Sequence, residues 1–76
     1  MIVLKSGYVY RDDTNSYVYT EIVGDGAPKD GIKLGDMVNT TQYPNSFLIC
    51  PGSTYTDLTT GATYLYSEAK KWNKIK

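Results

Sequence analysis

Three short runs of this chain repeat one pattern: Tyr8-Val9-Tyr10, Tyr17-Val18-Tyr19 and Tyr64-Leu65-Tyr66. On an extended backbone each run sets two tyrosines on one face and an aliphatic residue on the other, because successive side chains of a strand point to opposite sides. A half-exposed strand ordinarily shows one polar face. Tyrosine meets both demands, with a ring that packs and a hydroxyl that bonds at the boundary with water. Eight tyrosines, one tryptophan and one phenylalanine in 76 residues make this the feature that any fold must accommodate.

The stretch Thr54–Lys76 reads as strand, turn, strand, turn, strand. Tyr55–Leu58 and Ala62–Tyr66 flank Thr59-Thr60-Gly61, whose glycine takes positive φ without a Cβ clash. Trp72–Ile75 closes the stretch. Ser67–Lys71 has helix-forming composition but is too short to sustain more than a single helical turn. Near the N-terminus, residues 2–10 and Tyr17–Val23 flank the polar segment Arg11–Ser16, rich in residues that favour turns. This hairpin echoes the C-terminal one, GYVYRDDTNSYVY beside TYTDLTTGATYLY, as two hairpins obeying one rule.

Gly24–Asp36 holds four of the seven glycines and reads as a loop. Met37-Val38 is expected to open a short strand and Gln42–Asn45 to form a turn. Phe47–Cys50, stopped by Pro51-Gly52, is apolar on both faces and is placed centrally in a sheet. Either Phe47 and Ile49, or Leu48 and Cys50, should point inward together with Leu65. The expected fold is a single all-β domain over residues 1–76, with an N-terminal hairpin (2–23), a loop (24–36) and a C-terminal meander (37–76). It takes the form of a small antiparallel meander, or a barrel or sandwich, of about five to seven short strands.

Composition narrows the chemistry. A core this small supplies a net of about 3–5 kcal/mol, and small scaffolds add disulfides, metals or partner subunits. Cys50 is the single cysteine, so no disulfide forms within the chain, and its apolar surroundings suit a buried hydrophobe. Histidine is absent, which removes the usual zinc ligand and the usual acid–base catalyst. Asp12, Asp13 and Asn15, and Asp25, Asp30 and Asp36, lack the spacing of a calcium loop and suit turns. No nucleophile beside a base and no phosphate-binding loop is legible, so no catalytic residue, cofactor or metal is expected and the chain is read as a non-enzyme. Partner subunits are left as the extra source of stability.

Formal net charge is zero but unevenly spread: Lys70, Lys71, Lys74 and Lys76 oppose an acidic remainder. The lysines read as a solvated end, and a nucleic-acid partner is not expected from this balance. Ile2-Val3-Leu4 is broken by Lys5, so neither a signal-peptide core nor a membrane span is read there. Asn39-Thr40-Thr41 matches a glycosylation acceptor, relevant only to a secreted eukaryotic chain. A lone cysteine suits synthesis in a reducing cytoplasm.

The tyrosines admit three readings. They furnish a solvated sheet surface stabilised by cross-strand pairs, an interface with another protein, or a stacking platform for sugar or single-stranded nucleic acid. The expected interface residues are Tyr8, Tyr10, Tyr17, Tyr19, Tyr64, Tyr66 and Trp72.

Gly52-Ser53-Thr54-Tyr55, Asp57, Thr60-Gly61, Tyr64-x-Tyr66 and Lys71-Trp72-x-x-Ile75 together resemble a hairpin common in small structural proteins of tailed bacteriophages and prophages. The resemblance covers about the last 25 residues. It implies a virion component, such as a fibre, decoration or tail-associated protein, made in the host bacterial cytoplasm. Its partners would be copies of itself, as a homo-oligomer, or other virion proteins. Aromatic-rich hairpin repeats of bacterial surface-binding modules are the second resemblance and imply a carbohydrate partner. Those modules place a tryptophan in every repeat, whereas this chain has only Trp72.

Overall fold

The structure, a computed structural model, describes residues 2–38 and 41–76. The described residues form β1 (Ile2–Arg11), β2 (Ser16–Gly24), α1 (Leu34–Met37), β3 (Leu48–Ile49), β4 (Thr54–Asp57), β5 (Thr63–Tyr66) and β6 (Trp72–Lys74). The fold is all-β, with six strands in one open sheet ordered β1-β2-β4-β5-β6, and with β3 also paired to β2.

Two antiparallel units, β1–β2 and β4–β5–β6, match the expected hairpins. Their junction is not a meander, because β2 runs parallel to both β3 and β4. A parallel return requires a crossover of a dozen or more residues. The segment between β2 and β3 supplies it and passes over one face of the sheet. Within it α1 replaces the end of the expected loop and the expected Met37-Val38 strand. Leu34, Met37 and Val38 fall at helical spacing and all turn into the core, at 0%, 3% and 4% exposure. Packing on the sheet holds this single turn, which has too few internal hydrogen bonds to stand alone. The Val38 N–H still donates to the Leu34 carbonyl at 3.0 Å. Asn39 and Thr40 of the acceptor motif lie outside the described residues. The expected Gln42–Asn45 turn sits slightly later, where the Phe47 N–H donates to the Pro44 carbonyl at 3.1 Å.

β3 and β4 lie along the same side of β2, at Tyr17-Val18 and at Glu21–Gly24 respectively. Between them Pro51-Gly52 steps out of the sheet, and a side chain fills the missing pairing. The buried Ser53 hydroxyl accepts from the Thr20 N–H (3.1 Å) and donates to the Cys50 carbonyl (2.7 Å). On its other side β3 is bridged by residues 32–34, through Leu34 N–H to Phe47 O (2.8 Å) and Ile49 N–H to Ile32 O (2.9 Å). β3 is thus paired on both edges, with Ile49 buried on the covered face and Leu48, opposite Tyr17, half-buried on the uncovered one.

Strand register assigns every side chain to a face. Beneath the crossover lie Leu4, Val18, Ile22, Ile49, Tyr55 and Tyr66, packed against Leu34, Met37 and Val38. Tyr43, Phe47, Tyr64 and Trp72 border that core. Leu65 is not part of it. Its pairing with Thr54 sets it on the opposite face at 38% exposure, while Tyr66 is buried at 2%. The expected inward Leu65 is therefore reversed, because Tyr64 pairs with the fully buried Tyr55 and carries the tyrosine parity of β5 to the core side.

The β1–β2 and β4–β5 turns are each built on an Asp-x-Thr. The Asp12 carboxylate accepts from the N–H groups of Thr14 (2.8 Å) and Asn15 (2.6 Å). Asp57 accepts from the Thr59 N–H (2.8 Å) and, across to the crossover, from the Gly26 N–H (3.0 Å). Those N–H groups hold the Asp12 carboxyl below its usual range. Burial pushes the Asp57 carboxyl up, and the hydrogen bonds from Thr59, Gly26 and Thr60 outweigh it, leaving it lowered.

Candidate functional site

Register divides the seven expected interface residues between two faces. Tyr64, Tyr66 and Trp72 share the covered face with Tyr55, where Trp72 lies 4.9 Å from the Tyr66 ring and 6.0 Å from that of Tyr55. Tyr66 is core and inaccessible to a partner in this fold. The hydroxyls here reach backbone rather than water. Tyr55 donates to Gly26 O (2.9 Å) and Tyr66 to Gly31 O (3.0 Å), so both clamp the crossover onto the sheet. Tyr43 donates to Gly7 O (2.7 Å) from the same side. Burial raises the pKa of both the Tyr55 and Tyr66 hydroxyls, with help from Asp57 and Asp25 at Tyr55 and from Asp36 at Tyr66. Sequence reasoning gave Tyr55 and Tyr43 no role. The signal for Tyr55 was present in Thr54-Tyr55-Thr56, which alternates polar and aromatic and marks the ring as inward.

Tyr8, Tyr10, Tyr17 and Tyr19 lie together on the uncovered face. Tyr8 stands directly opposite Tyr19, with rings stacked at 4.9 Å and 24°. Tyr10 stands opposite Tyr17 at 6.1 Å and 42°. Tyr8 and Tyr10 on the edge strand are 63% and 51% exposed. The neighbouring Cys50 thiol, and then burial, raise the Tyr19 pKa. Val3, Val23, Thr54, Thr56, Thr63 and Leu65 extend the same face. Its charged pair is Lys5 and Glu21, at 3.4 Å.

A shallow depression of about 290 Å³ opens at the step between β3 and β4, bounded by Ser6, Tyr8, Tyr19, Glu21 and Thr54, with Gly52 in its wall. Gly52 has a φ of +99°, and a Cβ there would sit 3.2 Å from the Tyr19 ring. Glycine thus fits both the backbone conformation and the space beside the ring. Thr20 is 6% exposed and its Oγ1 has no hydrogen-bond partner, and its place between Val18 and Ile22 in the alternation of β2 turns that hydroxyl to the covered face, away from the depression.

Lys70 and Lys71 lie in the β5–β6 turn, Lys74 on β6 and Lys76 beyond it, at the sheet edge opposite β1. Three to four strand spacings, about 14–19 Å, separate them from the tyrosine ladder. A single-stranded nucleic-acid platform requires basic groove and stacking rings together, and here they are apart. Among the described residues no three His, Cys, Asp or Glu side chains converge as a metal site, and no helix is long and apolar enough to cross a membrane. No protein-family model, curated protein or solved structure matches the chain.

Proposed function

We propose that this chain is a non-enzymatic structural subunit that assembles with copies of itself through the uncovered face of its sheet, as a component of a phage-like particle. The observation that carries the assembly reading is the asymmetry of the sheet. One face is packed under the chain's own crossover, and the other presents a stacked tyrosine ladder with Val3, Val23 and Leu65. Exposed contiguous apolar and aromatic surface of this kind marks interaction sites. Five strands side by side and a ten-residue β1 account for the two long dimensions of the 38 × 25 × 18 Å molecule. A face of that breadth is large enough for the ~800 Å² that each partner buries in a stable complex.

The virion assignment rests on the resemblance of the C-terminal hairpin to phage structural proteins. The residues of that motif serve the subunit itself: Asp57 and Gly61 shape the turn, and Tyr64, Tyr66 and Trp72 pack the covered face. The proposed contact therefore falls on Tyr8, Tyr10, Tyr17 and Tyr19, with the exposed Tyr8 and Tyr10 as anchors.

Light scattering tests the reading. The chain should run at a multiple of its 8.5 kDa subunit mass. Tyr8→Ser with Tyr10→Ser should return it to that mass while unfolding stays cooperative, since hot-spot tyrosines contribute ~2 kcal/mol or more each. A chain that remains monomeric at high concentration refutes self-assembly.

A further inference from the structure

We infer that the depression at the step between β3 and β4 is a binding site for one pyranose ring of a neutral saccharide. This goes beyond the assembly reading and concerns the face before a second copy covers it. β2 has strand partners at Tyr17-Val18 and again from Glu21 onward, and the interruption leaves a recess in an otherwise continuous face. Gly52 borders the recess without a side chain to fill it. Tyr8 forms one wall. One side of its ring is stacked on Tyr19 and the residue is 63% exposed, so the aromatic surface is held in place before any ligand arrives. The electron-rich face of such a ring attracts the C–H groups that cluster on one side of a pyranose.

The polar groups at the recess suit hydroxyls rather than ions. Ser6 and Thr54 each donate and accept, as sugar hydroxyls do. Glu21 offers a carboxylate acceptor, and Lys5 beside it at 3.4 Å offers a donor. An anionic ligand would meet the Glu21 carboxylate, and a metal ion would find only that one. The volume of about 290 Å³ lies just below the ~300–1,000 Å³ found for ligand sites, enough for a ring and not for a folded oligomer. An open recess of this size predicts weak binding, with a dissociation constant of about 1–10 mM.

The test is an NMR titration of the isotope-labelled full chain with cellobiose, maltose and N,N′-diacetylchitobiose. At least one should give saturable shifts confined to the amides of Gly7, Thr20 and Gly52 and their neighbours. Tyr8→Ala should weaken that binding by about tenfold or more, Tyr8→Phe should retain it, and Glu21→Gln should weaken it. Ile75→Ala, exposed beyond β6 at the opposite edge of the sheet, should leave the affinity unchanged. The amide dispersion of each variant reports that the fold is intact. Absence of saturable shifts with all three disaccharides overturns the inference, as does binding that survives Tyr8→Ala. Light scattering on the same samples separates the two readings. Saccharide binding by a chain that stays monomeric at high concentration upholds the recess and refutes self-assembly, whereas a chain that assembles, yet gives no saturable shifts at concentrations where light scattering shows it monomeric, refutes the recess alone.

Discussion

Gly24 ends β2 directly beneath the Tyr55 hydroxyl, and that contact offers a quantitative test of how the crossover is clamped. A Cβ at Gly24 would run into the Tyr55 Oη, with Ile2 Cγ1 at 3.0 Å and Tyr55 Cζ at 3.1 Å. Tyr55 is fully buried and its hydroxyl is tied to Gly26 O, so the ring cannot swing aside without losing that bond. Overpacking of this kind costs ~1–3 kcal/mol. Restricting the unfolded chain offsets ~0.4–1 kcal/mol of it. Gly24→Ala should therefore destabilise by up to about 2.5 kcal/mol. Tyr55→Phe removes the hydroxyl and its hydrogen bond, costing about 0.5–1.5 kcal/mol. It also removes the atom that a new Cβ would strike. The double variant should then be more stable than the sum of the single effects by about 0.5–1.5 kcal/mol, in the range seen for residues in contact. Urea unfolding of the four proteins, followed by fluorescence of the single tryptophan, measures the coupling. Additivity within ~0.3–0.5 kcal/mol, the behaviour of independent sites, would refute the clamp.

Three further predictions follow from the faces and the turns. Leu65→Ala, on the uncovered face, should change the stability of the monomer by less than about 0.5 kcal/mol, whereas Ile22→Ala at the fully buried site should cost about 2–5 kcal/mol. Equal losses in urea melts would show the faces misassigned. Stability should also have two pH limbs. Asp12 and Asp57 have folded pKa values below the unfolded one, so their contribution is present above about pH 4 and is lost as pH falls through the folded values. Tyr55 and Tyr66 are raised by burial, so theirs is present below about pH 10 and is lost as pH rises through the folded values. Thermal melts across pH measure both limbs, and a melting temperature that climbs between pH 5 and 3 would contradict the acid limb. Asp57→Asn should lower the plateau and shallow that limb, because an amide offers one acceptor oxygen where the Gly26, Thr59 and Thr60 donors meet a carboxylate.

Sequence alone determined the local elements, because their causes are local. Alternation at Tyr8-Val9-Tyr10 and Tyr17-Val18-Tyr19 set two strands, and Asp12-x-Thr14 and Asp57-x-Thr59 set the turns after β1 and β4 through hydrogen bonds spanning two or three residues. Gly61, at a φ of +78°, completes the second turn in the conformation open to glycine. The interior place of Phe47–Cys50 in the sheet was legible in its apolar composition, whereas the half-exposure of Leu48 beside Tyr17 was not. Which face of each strand became the core was a different matter. Tyr64-Leu65-Tyr66 is equally apolar on either side, so its orientation was set by its register with Tyr55, a partner nine to eleven residues away in the hairpin. The parallel pairing of β2 with β4 depended on a crossover whose own residues look like a loop. Leu34, Met37 and Val38 form their single helical turn against the sheet, and the hydroxyls of Tyr55 and Tyr66 hold the strap before it. These are long-range contacts, and alternation along one strand carries no information about them. They decide the feature on which the functional proposals rest: four of the tyrosines are left in the open while the rest are bound into the fold.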